Sequence, residues 1–180
     1  MKKSVLSLAV AAGVTGVMSA AHADMYINDK GLGEALVYPF FSAQNGNDTY
    51  IHVVNTTGDS KAVKIRILEA ENSDEVLDFN VYMSPEDHFS FAITATDGGG
   101  AELRTVDNTC TVPQIPTEAG NNYKSVEFRG TEFAGDKATG TGAYDNTSIS
   151  RTQVGYVEVF EMGQIVDGSD FDKELSLIHI

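Results

Sequence analysis

Four histidines, one cysteine and a run of closely spaced acids are the groups that chemistry would draw on in this chain of 180 residues. Asp167, Asp170, Asp172 and Glu174 set carboxylates two or three positions apart. A hard cation such as Ca²⁺ takes several oxygen ligands of this kind. The run departs from an EF-hand loop, which needs acids or amides at alternate positions, a central Gly and a distal Glu. A solvated acidic loop is therefore the stronger reading and a Ca²⁺ site the weaker one. His52 and His88 are the histidines in the body of the chain, since His22 and His179 fall near its ends. Both take outward-facing or strand-opening positions, and two histidines without a close third ligand make a weak zinc site. Asp87 and His88 beside Ser84 and Ser90 form the one Ser/His/Asp grouping. Neighbours along a strand point to opposite faces, and no Gly-x-Ser-x-Gly elbow is present. Gly98 to Gly100 lacks the following Lys and helix of a phosphate loop. No catalytic residue and no cofactor is assigned. Asn55-Thr-Thr and Asn146-Thr-Ser fit the glycosylation acceptor pattern, but turn chemistry accounts for both.

The two ends frame the domain. Lys2 and Lys3 precede an uncharged, apolar stretch from Val5 to Met18. Ala21-His22-Ala23 has the small-x-small form of a cleavage site. Residues 1–23 thus read as a secretory signal peptide, with Asp24 opening the mature chain. The apolar run is too short and too rich in Ala and Gly for a membrane span, so none is expected in the mature chain. At the other end, Leu175-Ser-Leu-Ile-His-Ile180 matches the translation of CTGTCTCTTATACACATC, part of a transposase mosaic end used in sequencing adapters. Residues 175–180 are therefore read as non-native, residues 24–174 as one incomplete domain, and the natural chain as longer at its C-terminus. Cys110 stands alone in an exported chain, which fits a free thiol, an intermolecular bridge or a buried structural cysteine. With truncation a further reading opens and is preferred: a disulfide to a partner in the missing C-terminal part.

The elements that must position these groups show period-two alternation. Val63, Ile65 and Ile67 alternate with Lys64 and Arg66. Leu77, Phe79, Val81 and Met83 alternate with Asp78, Asn80 and Tyr82. Phe89, Phe91 and Ile93 alternate with Ser90, Ala92 and Thr94. Ile51 and Val53 face in, with Tyr50 and His52 out. Leu36–Ser42 contains Pro39, which removes a ladder donor, so this is an edge strand or a bent one. The links are short turns, including Ser84-Pro85-Glu86-Asp87, and short links force antiparallel neighbours. An antiparallel meander of five strands is expected over Leu36–Thr96. Arg151–Met162 adds a strand apolar enough to sit centrally, and Glu102–Val106 a short one. A short helix near Asp29–Leu36 or within 116–128 stays open. Residues 107–150 are rich in Gly, Thr, Asn, Asp and Pro and read as a long loop, which either hides a hairpin around Lys124–Phe128 or runs as an exposed crossover. One apolar sheet face must be covered, and no long amphipathic helix is there to cover it. The fold expected is all-β: an antiparallel, immunoglobulin-like β-sandwich, C-terminally truncated.

Composition bounds the function. The formal charge is -14, with 12 Lys and Arg against 26 Asp and Glu. That excludes binding to a nucleic-acid backbone, which needs clustered cations, and disfavours an anionic membrane surface. The stretch Asn55-Thr-Thr, Lys61-Ala-Val-Lys-Ile-Arg, Asn72-Ser and Glu75-Val-Leu-Asp-Phe-Asn, closing on Ser84-Pro85-Glu86-Asp87, resembles uncharacterised exported proteins of Gram-negative bacteria. Gly155-Tyr-Val-Glu-Val-Phe-Glu-Met-Gly163 is similar to them too. The resemblance covers roughly residues 1–174 and implies a longer C-terminus, but brings no activity, cofactor or site residue. The function expected is an exported, non-enzymatic structural, adhesion or cell-surface module, in the periplasm, on the outer surface or outside the cell. Its partner is unknown, with self-association through an edge strand as one route. The alternatives are a secreted module binding carbohydrate or Ca²⁺ in the 107–150 loops or at Asp167–Glu174, and a fragment of a secreted hydrolase whose active site lies in the missing part.

Overall fold

The computed structural model describes residues 27–131, 133 and 146–178. The expected signal peptide, most of 132–145, and residues 179–180 lie outside the described residues. The chain divides into two units at Gly31. Of the first, the described part is a turn in which the Lys30 N–H donates to Asn28 Oδ1 at 2.9 Å. The second unit carries every described strand and the described α-helix.

The alternating segments form strands where their spacing predicts them, and two more, Cys110–Val112 and Lys124–Glu127, form within the expected long loop. They are β1 (Ala35–Ser42), β2 (Thr49–Val54), β3 (Lys61–Glu69), β4 (Glu75–Met83), β5 (His88–Ala95), β6 (Ala101–Thr105), β7 (Cys110–Val112), β8 (Lys124–Glu127) and β9 (Val154–Gln164). A 3-10 turn, Ile149–Gln153, leads into β9. One sheet has the order β1-β9-β3-β4-β7 and the other β2-β5-β6-β8, with every pairing antiparallel. Their apolar faces meet in one core that includes Phe41, Ile65, Phe79, Phe89, Phe91 and Leu103. Phe79 meets both Phe89 and Phe91 edge to face across the two sheets, at 5.9 and 6.4 Å.

The expected meander is corrected. The β3–β4 and β5–β6 links are hairpins within a sheet, but β1 to β2, β2 to β3 and β4 to β5 each change sheets. The links 55–60 and 84–87 are too short for a parallel crossover, yet long enough to step the roughly 10 Å between stacked sheets. The long loop is also subdivided. Within it β7 joins β4 at one sheet edge and β8 joins β6 at the other, and β8 also folds back locally, with an antiparallel bridge from Lys124 to Thr117 and the Ser125 N–H donating to the Pro116 carbonyl at 3.0 Å. No helix forms over 29–36 or 116–128.

Two features of the edge region follow from residue type. β1 is an edge strand, and its register slips between Tyr38 and Phe41, where Pro39 sits, so it is both edge and bent. β9 lies between β1 and β3, as its apolar character predicts. It admits β1 and β3 so closely because of Gly155. A Cβ there would stand 1.9 Å from the Leu68 carbonyl oxygen and 2.8 Å from Phe41 Cε1.

The outer face of the larger sheet is wet and charged. Arg66 on β3 pairs with Glu75 on β4 at 2.8 Å and with Glu158 on β9 at 3.0 Å. Lys64 pairs with Asp78 on this face, while Lys61, opposite Met83 on the core-facing side, pairs with Glu161 at 2.6 Å. Basic residues of a central strand thus stand between acids of both neighbours. The acidic run that the sequence reads as a loop instead opens a helix, α1 (Asp170–Ile178). The Ser169 Oγ accepts the Asp172 N–H at 3.1 Å, and Asp170 and Asp172 sit in the first turn, where the helix dipole favours negative charge. The helix continues through residues 175–178, set aside in the sequence reading, and Leu175 is buried.

Candidate functional site

The most deeply buried charges lie where β3 turns into β4. The Glu69 and Arg151 side chains have no exposed surface. Arg151 Nη2 stands 2.9 Å from Glu69 Oε1, and its Nε donates to Oε2 at 3.2 Å. Its Nη1 donates to the Asn146 carbonyl at 2.7 Å, and Cζ lies 4.4 Å from the centre of the Phe133 ring. The Glu69 carboxylate also accepts the main-chain N–H groups of Glu71, Asn72 and Asp74 at 2.8 to 3.1 Å. Burial pushes this carboxyl up, but the guanidinium and those three N–H groups outweigh it and hold it below its ordinary value. One carboxylate therefore closes the Ala70–Asp74 turn and one guanidinium ties that turn to the 3-10 segment. Glu71 and Asp74 add carboxylate oxygens 3.6 Å from Arg151. Beside this pair lies a half-open cavity of about 250 Å³, lined by Gln44, Glu71, Asn146, Ser150 and Arg151 among others.

A second feature is the side of the domain formed by β1 and β2. On β5 the Ser90 N–H donates to Asp107 and its carbonyl accepts from Thr105 Oγ1, both toward β6. Main-chain groups alternate along a strand, so Phe89, Phe91 and Ile93 bond toward β2, and their partners Val53, Ile51 and Thr49 bond back. The main-chain groups of Tyr50, His52 and Val54 consequently point away from β5, at an edge with no further strand. Two side chains of β1 and β2 cover part of it. The Tyr38 hydroxyl donates to the His52 carbonyl at 2.7 Å, and Thr49 Oγ1 bridges the Ser42 N–H and carbonyl at 3.0 and 2.9 Å. The side chains of Tyr50 and Val54 stand out into solvent, Tyr50 being 82% exposed.

The four edges differ. β7 has three residues and is followed by Pro113; β8 has four and carries Lys124 and Glu127; β1 has Pro39 and the bulge. Each is a recognised way of blunting an edge. β2, Thr-Tyr-Ile-His-Val-Val, has no charge, no Pro and no bulge.

The residues singled out in the sequence fall as follows. Asp172 Oδ1 accepts the Ser60 hydroxyl at 2.5 Å and Oδ2 accepts the Gly168 N–H at 3.1 Å, which together hold its carboxyl below the usual aspartate value. Asp170 is fully exposed and 3.5 Å from Lys173. Asp167 and Glu174 join no cluster with them. Among the described residues, no three His, Cys, Asp or Glu side chains gather closely enough to hold a metal. Asp87 Oδ1 accepts the His88 main-chain N–H at 2.7 Å, so the pairing of Asp87 with His88 is a turn contact. Cys110 is a half-buried free thiol on β7, opposite Tyr82. Asn55 is buried, and its amide donates to the Asp59 and Ser84 carbonyls at 2.8 Å, which makes Asn55-Thr-Thr a structural knot.

Sequence reasoning missed three groupings: Glu69 with Arg151, the His52–His88 pair, and β2 as the unblunted edge. The first spans 82 positions and carries no local signal. The others depend on β2 lying beside β5, which the expected meander did not contain. The chain matches no protein-family model, no curated protein and no solved structure.

Proposed function

We propose that the protein is an exported, non-enzymatic structural or adhesion module that associates with a second copy of itself along the free edge of β2. The observation that carries this reading is the contrast among the edges of the described residues: β1, β7 and β8 are blunted by bulge, Pro, shortness or charge in their own sequence, while β2 has none of these, is covered only in part by Tyr38 and Thr49, and presents Tyr50, His52 and Val54. A second copy fits it by charge and by symmetry. The chain carries -14, so two copies repel except where a patch is uncharged, as β2 is. Antiparallel pairing centred on His52, with the partner strand taking the place of the Tyr38 hydroxyl on the His52 carbonyl, sets Tyr50 of each copy against Val54 of the other, an aromatic to β-branched cross-strand pair. Export rests on the signal-like residues 1–23, and the immunoglobulin-like topology, the missing C-terminal part and a disulfide partner for Cys110 belong to the same proposal. Full-length protein from the native gene, fractionated and sedimented, tests it. The expected result is an exported protein in a concentration-dependent dimer that Val54→Lys abolishes. A cytoplasmic protein, or one that stays monomeric up to hundreds of micromolar on the order of weak encounter complexes, overturns it.

A second reading, an exported ligand-binding module for carbohydrate, is favoured by the cavity beside Arg151, which offers amide, hydroxyl and carboxylate groups from Gln44, Asn146, Ser150 and Glu71. Glycan-array binding that Gln44→Ala removes would favour it over the first.

A further inference from the structure

His52 and His88 lie on the outer face of the smaller sheet, on adjacent strands, and both are exposed. In the β2–β5 register His52 faces Ser90 and Val54 faces His88, so the two imidazoles are diagonal neighbours on one face. Their ring centres are 5.1 Å apart with an interplanar angle of 68°. This separation has a chemical meaning. A metal–nitrogen bond of about 2.1 Å puts each ring centre about 3.2 Å from the ion, and a tetrahedral angle then separates two ring centres by about 5.2 Å. The backbone spacing is fixed by the sheet, while the torsion that turns an imidazole is broad and soft. Both rings are free in solvent to turn one nitrogen each toward a shared point.

We propose that His52 and His88 form a surface chelate for a borderline divalent cation of the first transition row: Cu²⁺, Ni²⁺ or Zn²⁺. Imidazole suits these ions, and hard Ca²⁺ or Mg²⁺ takes oxygen ligands instead. Among the described residues no third His, Cys, Asp or Glu completes a group of three. The remaining positions on the ion fall to water, leaving a site that stays open to a further ligand. Affinity follows the order Cu²⁺ above Ni²⁺ and Zn²⁺. The chelate uses imidazole side chains on the sheet face and the assembly through β2 uses main-chain groups of its edge, although His52 stands at the centre of both.

The test is titration of the full chain with Cu²⁺, Ni²⁺ and Zn²⁺ by calorimetry, with the histidine ring protons followed by NMR. One ion per chain is expected, with both ring signals broadening together on adding Cu²⁺. His52→Asn and His88→Asn are each expected to weaken binding by roughly tenfold or more, with circular dichroism unchanged because both side chains are exposed. Excess Ca²⁺ does not displace the ion. Sedimentation without metal reads the proposed dimer, and calorimetry on protein diluted below its association range reads the chelate, so failure of one proposal is distinguishable from failure of the other. Undiminished binding in either Asn variant, or displacement by Ca²⁺ as expected of diffuse carboxylates, overturns the chelate.

Discussion

Arg151 and Glu69 form a buried ion pair whose charges are compensated by three main-chain N–H groups, a carbonyl and an aromatic face. Removing one partner leaves the other charged and out of water. Arg151→Met is therefore expected to lower unfolding stability by about 3 to 5 kcal/mol in urea titrations. Glu69→Leu with Arg151→Met should recover part of that loss, since an apolar pair strands no charge. The same carboxyl fixes a pH dependence. Its folded value lies below its unfolded one, so the stabilisation is complete above the ordinary glutamate range, near about pH 4.3, and is lost as pH falls through the depressed folded value. Chemical denaturation across this acid range should show that slope, and the double variant should flatten it.

β9 carries the element-scale argument. Its position between β1 and β3 needs a residue without a side chain at Gly155, because the Leu68 carbonyl and the Phe41 ring already fill the space of a Cβ. Gly155→Ala forces backbone apart, and a cost of about 3 kcal/mol or more is expected, read as a lowered Tm. Gly58→Ala is the control, since nothing lies within 4 Å of a Cβ there and little change is expected. β2 makes the opposite case, an element intact within the domain but unfinished at its border. Val54→Lys keeps the strand and places a charge at the edge, so it should leave Tm nearly unchanged while removing dimer. Loss of fold in this variant would mean that the edge is structural. The strands other than β7 and β8 are legible from alternation, as are Pro39 at a bent edge and the central place of β9. The acidic run Asp167–Glu174 reads from its charge as a solvated loop, yet from Asp170 onward it is helix, because Ser169 and the first-turn acids suit a helix N-terminus.

For the molecule as a whole, charge sets the behaviour. The -14 net charge leaves many acids without cationic partners, while Lys61, Lys64 and Arg66 on β3 are spent on local ladders across the larger sheet. In the proposed dimer, two copies meeting at β2 would attract locally and repel at long range. Raising ionic strength from about 0.05 to 0.5 M screens the repulsion and should strengthen the dimer, measured by sedimentation. Weakening by salt would instead point to an interface built on ion pairs and away from β2.

By itself the sequence determined the face of each strand. Period two is a local property, written by Ile, Val and Phe at every other position, and burial of that face follows wherever the strand ends up. It also determined that two layers were needed, since one apolar sheet face cannot stay bare. Which strands lie side by side was decided only in the tertiary structure. A link of four to six residues serves equally to turn back in one sheet or to step across to the other, and the choice depends on how all strands share the core. That choice put β2 beside β5 and at an edge, brought His52 to His88, and closed Glu69 on Arg151 across 82 residues of chain.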